Sequence, residues 1–248
     1  MHLPDPKFPP LISGHPVNVP ESPFDVACRR AAAGELGAAD LVWSRSTASV
    51  DLALILEPDV DLSQSRQMYP LAFTALADSL GALMPPLTAV LLRWPSTLLI
   101  NGGEAGKLRF AAGTDVEDQV PDWLVLGISI SLQSAPDDPE PGRQGGRTTV
   151  FEEGGGDLDR SQILQSFAAH MLTWINEWQD DGFAAVHEQF IGRVEGQETP
   201  AVFPAGADGG PVRGKVLGLS DAMQLLVKCD TDGTVRTLSL AEALRSPS

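Results

Sequence analysis

The chain is poor in positive charge. Its 248 residues include 17 Lys and Arg against 33 Asp and Glu, a formal net charge of −16. That balance leaves no summed positive field for a phosphate backbone, which excludes a nucleic-acid-binding role. Cysteine is also scarce. Cys28 and Cys229 are too few for a disulfide framework and read as free structural thiols of a reducing compartment. Neither has a histidine nearby in sequence, so a cysteine nucleophile has no support. No run approaches the ~18–20 apolar residues of a membrane span. The opening residues Met1–Asp5 lack the basic-then-apolar order of a signal peptide. These absences predict a soluble cytoplasmic protein with no membrane partner. There is no Gly-x-Ser-x-Gly elbow and no Walker loop, and His187 has no partner at zinc-ligand spacing, so no metal site is expected.

What is present supports a folded body. Hydrophobic residues make up 43% of the chain, enough for a real core. Residues 1–23 hold seven prolines and read as an extended arm. The spacing of Phe24, Ala27, Cys28 and Ala31 predicts a helix ending near Gly34. Leu41–Trp43 and Leu52–Leu56 read as buried strands joined by a short polar turn. Residues 63–81 read as a second helix, with Pro70 either kinking it or marking its first turn. Strands follow at 89–92, 98–100 and 107–110, with Asn101-Gly102 a strong hairpin signal. The run Trp123–Ile130 starts hydrophobic on both sides and should be a central strand. Residues 133–160 are rich in Pro, Gly and acid and predict a long mobile loop. Asp159 with Gln162 should cap a helix, and a last helix covers Phe183–Phe190. Beyond a Pro/Gly-rich linker, short strands at 215–217, 224–227 and 235–238 suit a small SH3-like barrel. The division expected is a Pro-rich arm over 1–23, a main domain over 24–195 and a small domain over 196–248.

The run Leu92-Arg93-Trp94-Pro95-Ser96-Thr97, then Asn101-Gly102, Ala105-Gly106 and the strand Val125–Ile130, resembles the biotin protein ligases and their lipoate-protein-ligase relatives. The pattern Arg213–Leu219, Leu225–Val227 and Asp232-Gly233 is similar to their small C-terminal domain. The resemblance implies an α+β fold: a class II aminoacyl-tRNA synthetase/biotin ligase-like mixed sheet with helices on one side, plus a small C-terminal SH3-like β-barrel. It implies ATP and Mg as co-reactants, a biotin- or lipoate-like carboxylate as ligand and a lysine of a carrier domain as acceptor. Carried over position by position, it assigns Arg93 and Lys107 to catalysis. It assigns Trp43, Arg45, Trp94, Gly103, Gly106, Gly127 and Ser131 to ligand binding.

The departures are chemically pointed. Both half-reactions build negative charge, so they require fixed cations and backbone donors. Where the family carries a Gly-Arg-rich loop, this chain has only Ser44–Asp51, with Arg45 as its one cation. The lysine before Trp-Pro is Arg93, the Asn-Asp after it is Ser96-Thr97, and the lysine of the Ala-Gly turn falls on Gly103. Arg109, Arg147 and Arg213 are the candidate replacements. Two readings follow: an acid-activating acyltransferase, or a degenerate scaffold that binds a small molecule or a carrier protein.

Overall fold

The structure is a computed structural model, and it describes residues 5–134, 146–204 and 210–245. In chain order the first half gives β1 (Ser13–Val17), α1 (Pro23–Ala32), β2 (Asp40–Ser44), β3 (Ser49–Leu56), α2 (Leu62–Ser65), α3 (Met68–Leu83), β4 (Val90–Arg93), β5 (Thr97–Ile100), β6 (Gly103–Ala112) and β7 (Leu124–Ser131). The second half gives α4 (Arg160–Asp181), α5 (Phe183–Ile191), β8 (Ala201–Phe203), β9 (Val212–Leu219), β10 (Gln224–Cys229), β11 (Val235–Ser239) and α6 (Leu240–Arg245). Strands β1 to β7 form one sheet in the order β1-β2-β3-β7-β6-β5-β4, with β7 in the middle as its sequence predicts. Only the β1–β2 pair is parallel, so the sheet is mixed. The proline-rich arm is extended, yet it is not separate from the body. Its residues Ser13–Val17 form an edge strand, a place where Pro16 breaks no ladder.

Local rules explain the elements well. Ser22 caps α1 by accepting from the Asp25 amide, with Pro23 opening the helix. Pro70 lies in the first turn of α3 and introduces no kink. Asn101 and Gly102 both take positive φ, 48° and 87°, as a two-residue hairpin turn between β5 and β6 requires. Asp159 and Gln162 form a complete capping box on α4. Trp174 and Trp178 on that helix are half-buried, and their indole N–H groups donate to Asp78 and Gln67 at 2.8 and 2.7 Å.

The sheet has two unlike faces. On one, α3, α4 and α5 pack over Leu41, Leu52, Leu54, Leu126, Ile128 and Ile130 to form the main core. The other face is covered by α1 alone, over Val42, Ala53, Ile55 and Val125. Helices therefore lie on both sides, not one, and the second side is covered only in part. Strands β8 to β11 form a separate antiparallel sheet in the order β11-β10-β9-β8. It joins the main core through Val216, Leu219 and Leu225, and the His187 Nε2 of α5 lies 2.9 Å from the Leu219 carbonyl. Helix α6 was not legible in the sequence, because six residues carry too little periodicity to count.

The expected mobile loop covers residues 133–160. Its residues 135–145 lie outside the described residues. Within 146–158, Thr148, Thr149, Val150 and Gly155 are buried, and the Val150 amide donates to the Ser131 carbonyl at 3.0 Å.

Strand β6 contains the irregularity that matters most. Leu98 of β5 faces Gly106, and Leu99 faces Glu104, so Ala105 is an extra residue. Gly106 sits in this bulge, and a Cβ there would stand 2.1 Å from the Ser129 carbonyl oxygen, a backbone atom that cannot give way. Gly106→Ala is expected to cost about 1–3 kcal/mol of stability, or to prevent folding. Urea unfolding checks this, and an unchanged midpoint would contradict the close approach.

Candidate functional site

The uncovered part of the second sheet face is the candidate site. Along β7, Leu124, Leu126, Ile128 and Ile130 point into the main core, so Val125, Gly127, Ser129 and Ser131 face the other way. Helix α1 covers the first two of these, leaving Ser129 and Ser131 open. On β3 the same logic turns Ser49 and Asp51 outward beneath Val50 and Leu52. On β6 the bulge is decisive. Strict alternation from the exposed Glu104 would aim Lys107 and Arg109 into the core. The extra residue resets the phase, so Ala105 and Leu108 are buried while Lys107 and Arg109 are exposed on the open face.

Cross-strand register then sets the neighbours. Lys107 stands opposite Ser129, and Ser129 opposite Asp51, so the three form a row across β6, β7 and β3. Ser129 Oγ donates to Asp51 Oδ1 and Ser49 Oγ to Asp51 Oδ2, each at 2.5 Å. Two adjoining cavities lie on this surface. The smaller, about 300 Å³, is bordered by Ser22, Phe24, Ser46, Asp51, Arg109 and Gly127. The larger, about 500 Å³, has Glu104, Lys107, Arg109, Ser131, Arg147 and Glu152 around it. Arg109 and Ser129 belong to both, so the two spaces share a wall.

The residues expected from the sequence divide into three groups. Lys107, Gly106 and Ser131 line the larger cavity and Gly127 the smaller. Gly103 stands at the edge, where a Cβ would meet the Thr148 side chain at 2.7 Å. Gly127 does not offer bare backbone to a ligand, as its expected role requires. The Phe24 ring occupies that space, since a Cβ on Gly127 would meet it at 2.3 Å.

Trp43 and Trp94 are core residues instead of pocket walls. They are 1% and 2% exposed, both belong to the helix-covered face, and neither lines these cavities. The cause is alternation, which points Leu41 and Trp43 of β2 to one side and Val42 to the other. The expected cations are engaged elsewhere. Arg93 is held by Glu195 through Nε at 2.8 Å and by Glu104 through Nη1 at 2.6 Å, and the Glu195 bond is the main reason its pKa is raised. Arg45 pairs with Asp5 of the N-terminal segment at 2.9 Å and lies over the Trp43 ring. Neither lines the cavities. Of the candidate replacements, Arg109 and Arg147 do, while Arg213 pairs with Asp230 on the small sheet.

Arg160 is a residue that sequence reasoning missed. It opens α4, is 3% exposed and lies 5.4 Å from the centroid of the Trp43 ring. Its Nη1 donates to the Arg45 and Ser46 carbonyls, each at 3.1 Å, which pins the short β2–β3 turn. Burial lowers its pKa. A capping box announces the helix, but nothing in sequence announces a partner more than a hundred residues earlier.

Among the described residues, no group of three or more His, Cys, Asp or Glu side chains gathers to hold a metal ion. Among the described residues no helix is long and apolar enough to cross a membrane.

A mixed sheet with an open, cation-lined half-face and a small C-terminal sheet defines the α+β class of this protein. Residues 8–192 match the model of the biotin/lipoate A/B protein ligase family, and the chain belongs to that family. It is 26% identical over 189 residues to the biotin–[acetyl-CoA-carboxylase] ligase of Paracoccus denitrificans, spanning 75% of this chain and 76% of that one. Its structure is similar to that of a biotin protein ligase-like protein of unknown function from Silicibacter sp. TM1040, with TM-score 0.83 and 33% identity over 97% of this chain and 99% of that one. The biotin protein ligase from Aquifex aeolicus in complex with biotin and ATP shares the fold, with TM-score 0.69 and 14% identity over 92% of this chain and 97% of that one.

Two measurements follow. Arg160→Ala strands two carbonyls and the Trp43 ring, and is expected to cost about 2–4 kcal/mol in urea unfolding. Burial pushes the Cys28 thiol up to about 11, with Arg109 opposing the shift. In a Cys229→Ser background, iodoacetamide should therefore react with a pH midpoint near 11, against about 8.5 for a free cysteine. The folded state resists ionisation of this thiol. Stability is thus unaffected below about pH 8.5 and falls as pH rises from there towards 11.

Proposed function

We propose that the open half-face binds a small carboxylic acid of the biotin or lipoate type together with ATP, and that the protein joins the acid to a lysine of a carrier domain. The observation that carries this reading is the convergence of Lys107, Arg109 and Arg147 on one cavity of about 500 Å³. A carboxylate and a triphosphate brought together repel, and fixed cations offset that repulsion. In the first step the acid carboxylate attacks the α-phosphate, pyrophosphate leaves and an acyl-adenylate forms. In the second the acceptor amine attacks the acyl carbon and AMP leaves. Lys107 and Arg147 are assigned to the reacting carboxylate and phosphates, and Arg109 to the wall between the two cavities. These residues take over from the cations of the missing Gly-Arg loop. The family membership, and a biotin- and ATP-bound protein of the same fold, support the reading.

A second reading has its own observation. Arg45 and Arg93 are both tied up in ion pairs, and Phe24 fills the space over Gly127. A scaffold that binds the acid or a carrier domain without adenylation fits these facts.

The deciding assay is pyrophosphate release from purified protein with ATP, Mg and biotin, lipoate or octanoate in turn. The adenylating reading expects release with one acid. It also expects Lys107→Ala and Arg147→Ala each to raise a KM or lower kcat by about tenfold, the worth of one charge-assisted bond. If no acid supports release, that reading is wrong. A thermal shift with the acid alone would then support the binding module.

A further inference from the structure

The second half-reaction has a requirement that the cations do not meet. An acceptor lysine has a pKa of about 10.4 and arrives as an ammonium ion, which cannot attack until it loses a proton. A base is needed where the two cavities join.

The carboxylates around these cavities are not equivalent. Glu104 is committed to Arg93. Glu152 accepts the Ser134 hydroxyl at 2.7 Å, away from the shared wall. Glu21 lies on the turn that leads into α1. Asp51 differs in being fixed on the sheet. It accepts one hydroxyl on each oxygen, from Ser49 and Ser129, and among the described residues it makes no ion pair. It borders the smaller cavity, while Ser129 beside it borders both. The charged groups facing it are Lys107 along the row on β6, Arg109 across the cavity, and Glu21 from the segment before α1.

Resting on the acyl-transfer reading above, we propose that Asp51 is the base that takes the proton of the incoming lysine ammonium, held in line by Ser49 and Ser129. The ammonium gives one proton to Asp51. The amine nitrogen then forms the C–N bond to the acyl carbon, and the acyl C–O bond to the adenylate phosphate breaks. AMP leaves with that electron pair, and the second proton on nitrogen passes to water. Lys107, one strand beyond Ser129, faces the departing phosphate. The two hydroxyl donors, one on each oxygen, fix the direction of the carboxylate on the sheet. Asp51 is a catalytic residue in this account, and Ser49 and Ser129 are positioning residues.

The test separates the two half-reactions. Full-length protein is given either ATP with the acid, or preformed biotinyl- or lipoyl-adenylate, and a biotin- or lipoate-accepting carrier domain. Asp51→Asn keeps the size of the side chain and one acceptor oxygen while its amide donates in place of the other, so folding is checked by its thermal midpoint. Expected at pH 7 is a fall of at least about a hundredfold in carrier acylation from the preformed adenylate, the low end of what a lost general base costs. The ratio of acylation to pyrophosphate release falls alike. At pH 9.5 the deficit shrinks, because the free amine then forms without help. Ser129→Ala should lower carrier acylation more than pyrophosphate release, since Asp51 then loses a hydroxyl that fixes its direction. Asp51→Asn acylating the carrier at the wild-type rate at pH 7 would overturn the proposal. So would an equal deficit at both pH values, which marks a purely structural role. Wild-type protein that releases no pyrophosphate but acylates from the preformed adenylate would remove the ATP step alone and leave Asp51 in place.

Discussion

The site depends on the register of β7. This strand pairs with β3 from Ser49↔Ser131 to Leu56↔Leu124, and with β6 from Gly106↔Ile130 to Ala112↔Leu124. A slip of one residue would exchange its two faces. Ser129 and Ser131 would enter the layer beneath α3 and α4, and Ile128 and Ile130 would face water. Each stranded hydroxyl costs about 1–3 kcal/mol, and each exposed isoleucine forfeits about 1.5–3 kcal/mol. The main core therefore holds the register, and the register holds the row Lys107–Ser129–Asp51. The site is positioned by hydrophobic packing on the face it does not occupy.

Charge is distributed with similar economy. Between Asp40 and Leu92 the chain has only Arg45 and Arg66 as cations. Arg66 is buried against Glu117, and Arg45 closes over Trp43 with Asp5. Both are structural. The cations left for the cleft come from β6 and from the segment before α4. A scaffold that gives up a basic loop between β2 and β3 can carry positive charge on the neighbouring strand, provided that strand turns its lysine and arginine outward. The bulge at Ala105 makes that possible here. Half of the net charge, −8 of −16, falls within residues 111–160. Of that stretch Glu152 reaches the larger cavity, where it accepts a hydroxyl and leaves the three cations unpaired by it.

Much of the fold was legible in sequence because local rules wrote it. The Asn101-Gly102 turn, the Asp159 box and the apolar run of β7 each signal structure within a few residues. The site was legible only in part. Lys107, Gly106 and Ser131, which the resemblance marks, line the larger cavity of the candidate site. Trp43 and Trp94 stand in the core, because a resemblance transfers positions but not side-chain direction. Direction is set by the parity of each strand, and an aromatic residue satisfies a core as readily as a pocket. Arg93 is held by Glu195, which lies 102 residues away, and no local pattern reveals that partner. Asp51 was passed over as one more residue of a shortened loop. Its significance lies wholly in what stands opposite it on β7.

Helix α1 sets the limit of the site. It lies on Val42, Ala53, Ile55 and Val125, and its first ring, Phe24, drops into the space that Gly127 leaves by lacking a Cβ. Arg109 then lies 4.0 Å from the centroid of that ring and pairs with Asp25 at 3.2 Å. One glycine thus admits a phenylalanine, and the phenylalanine carries an arginine that borders both cavities. A larger residue at position 127 would push α1 away from the sheet and move that arginine with it. The glycine's expected task was close approach of a ligand, and its actual task is close approach of a helix. Both rest on the same missing methyl group. The difference is that here the approach is made once, on folding, and leaves Arg109 in place before any ligand arrives. A cation fixed in this way loses little conformational freedom on binding, which is how a chain with few cations can still present a charged cleft.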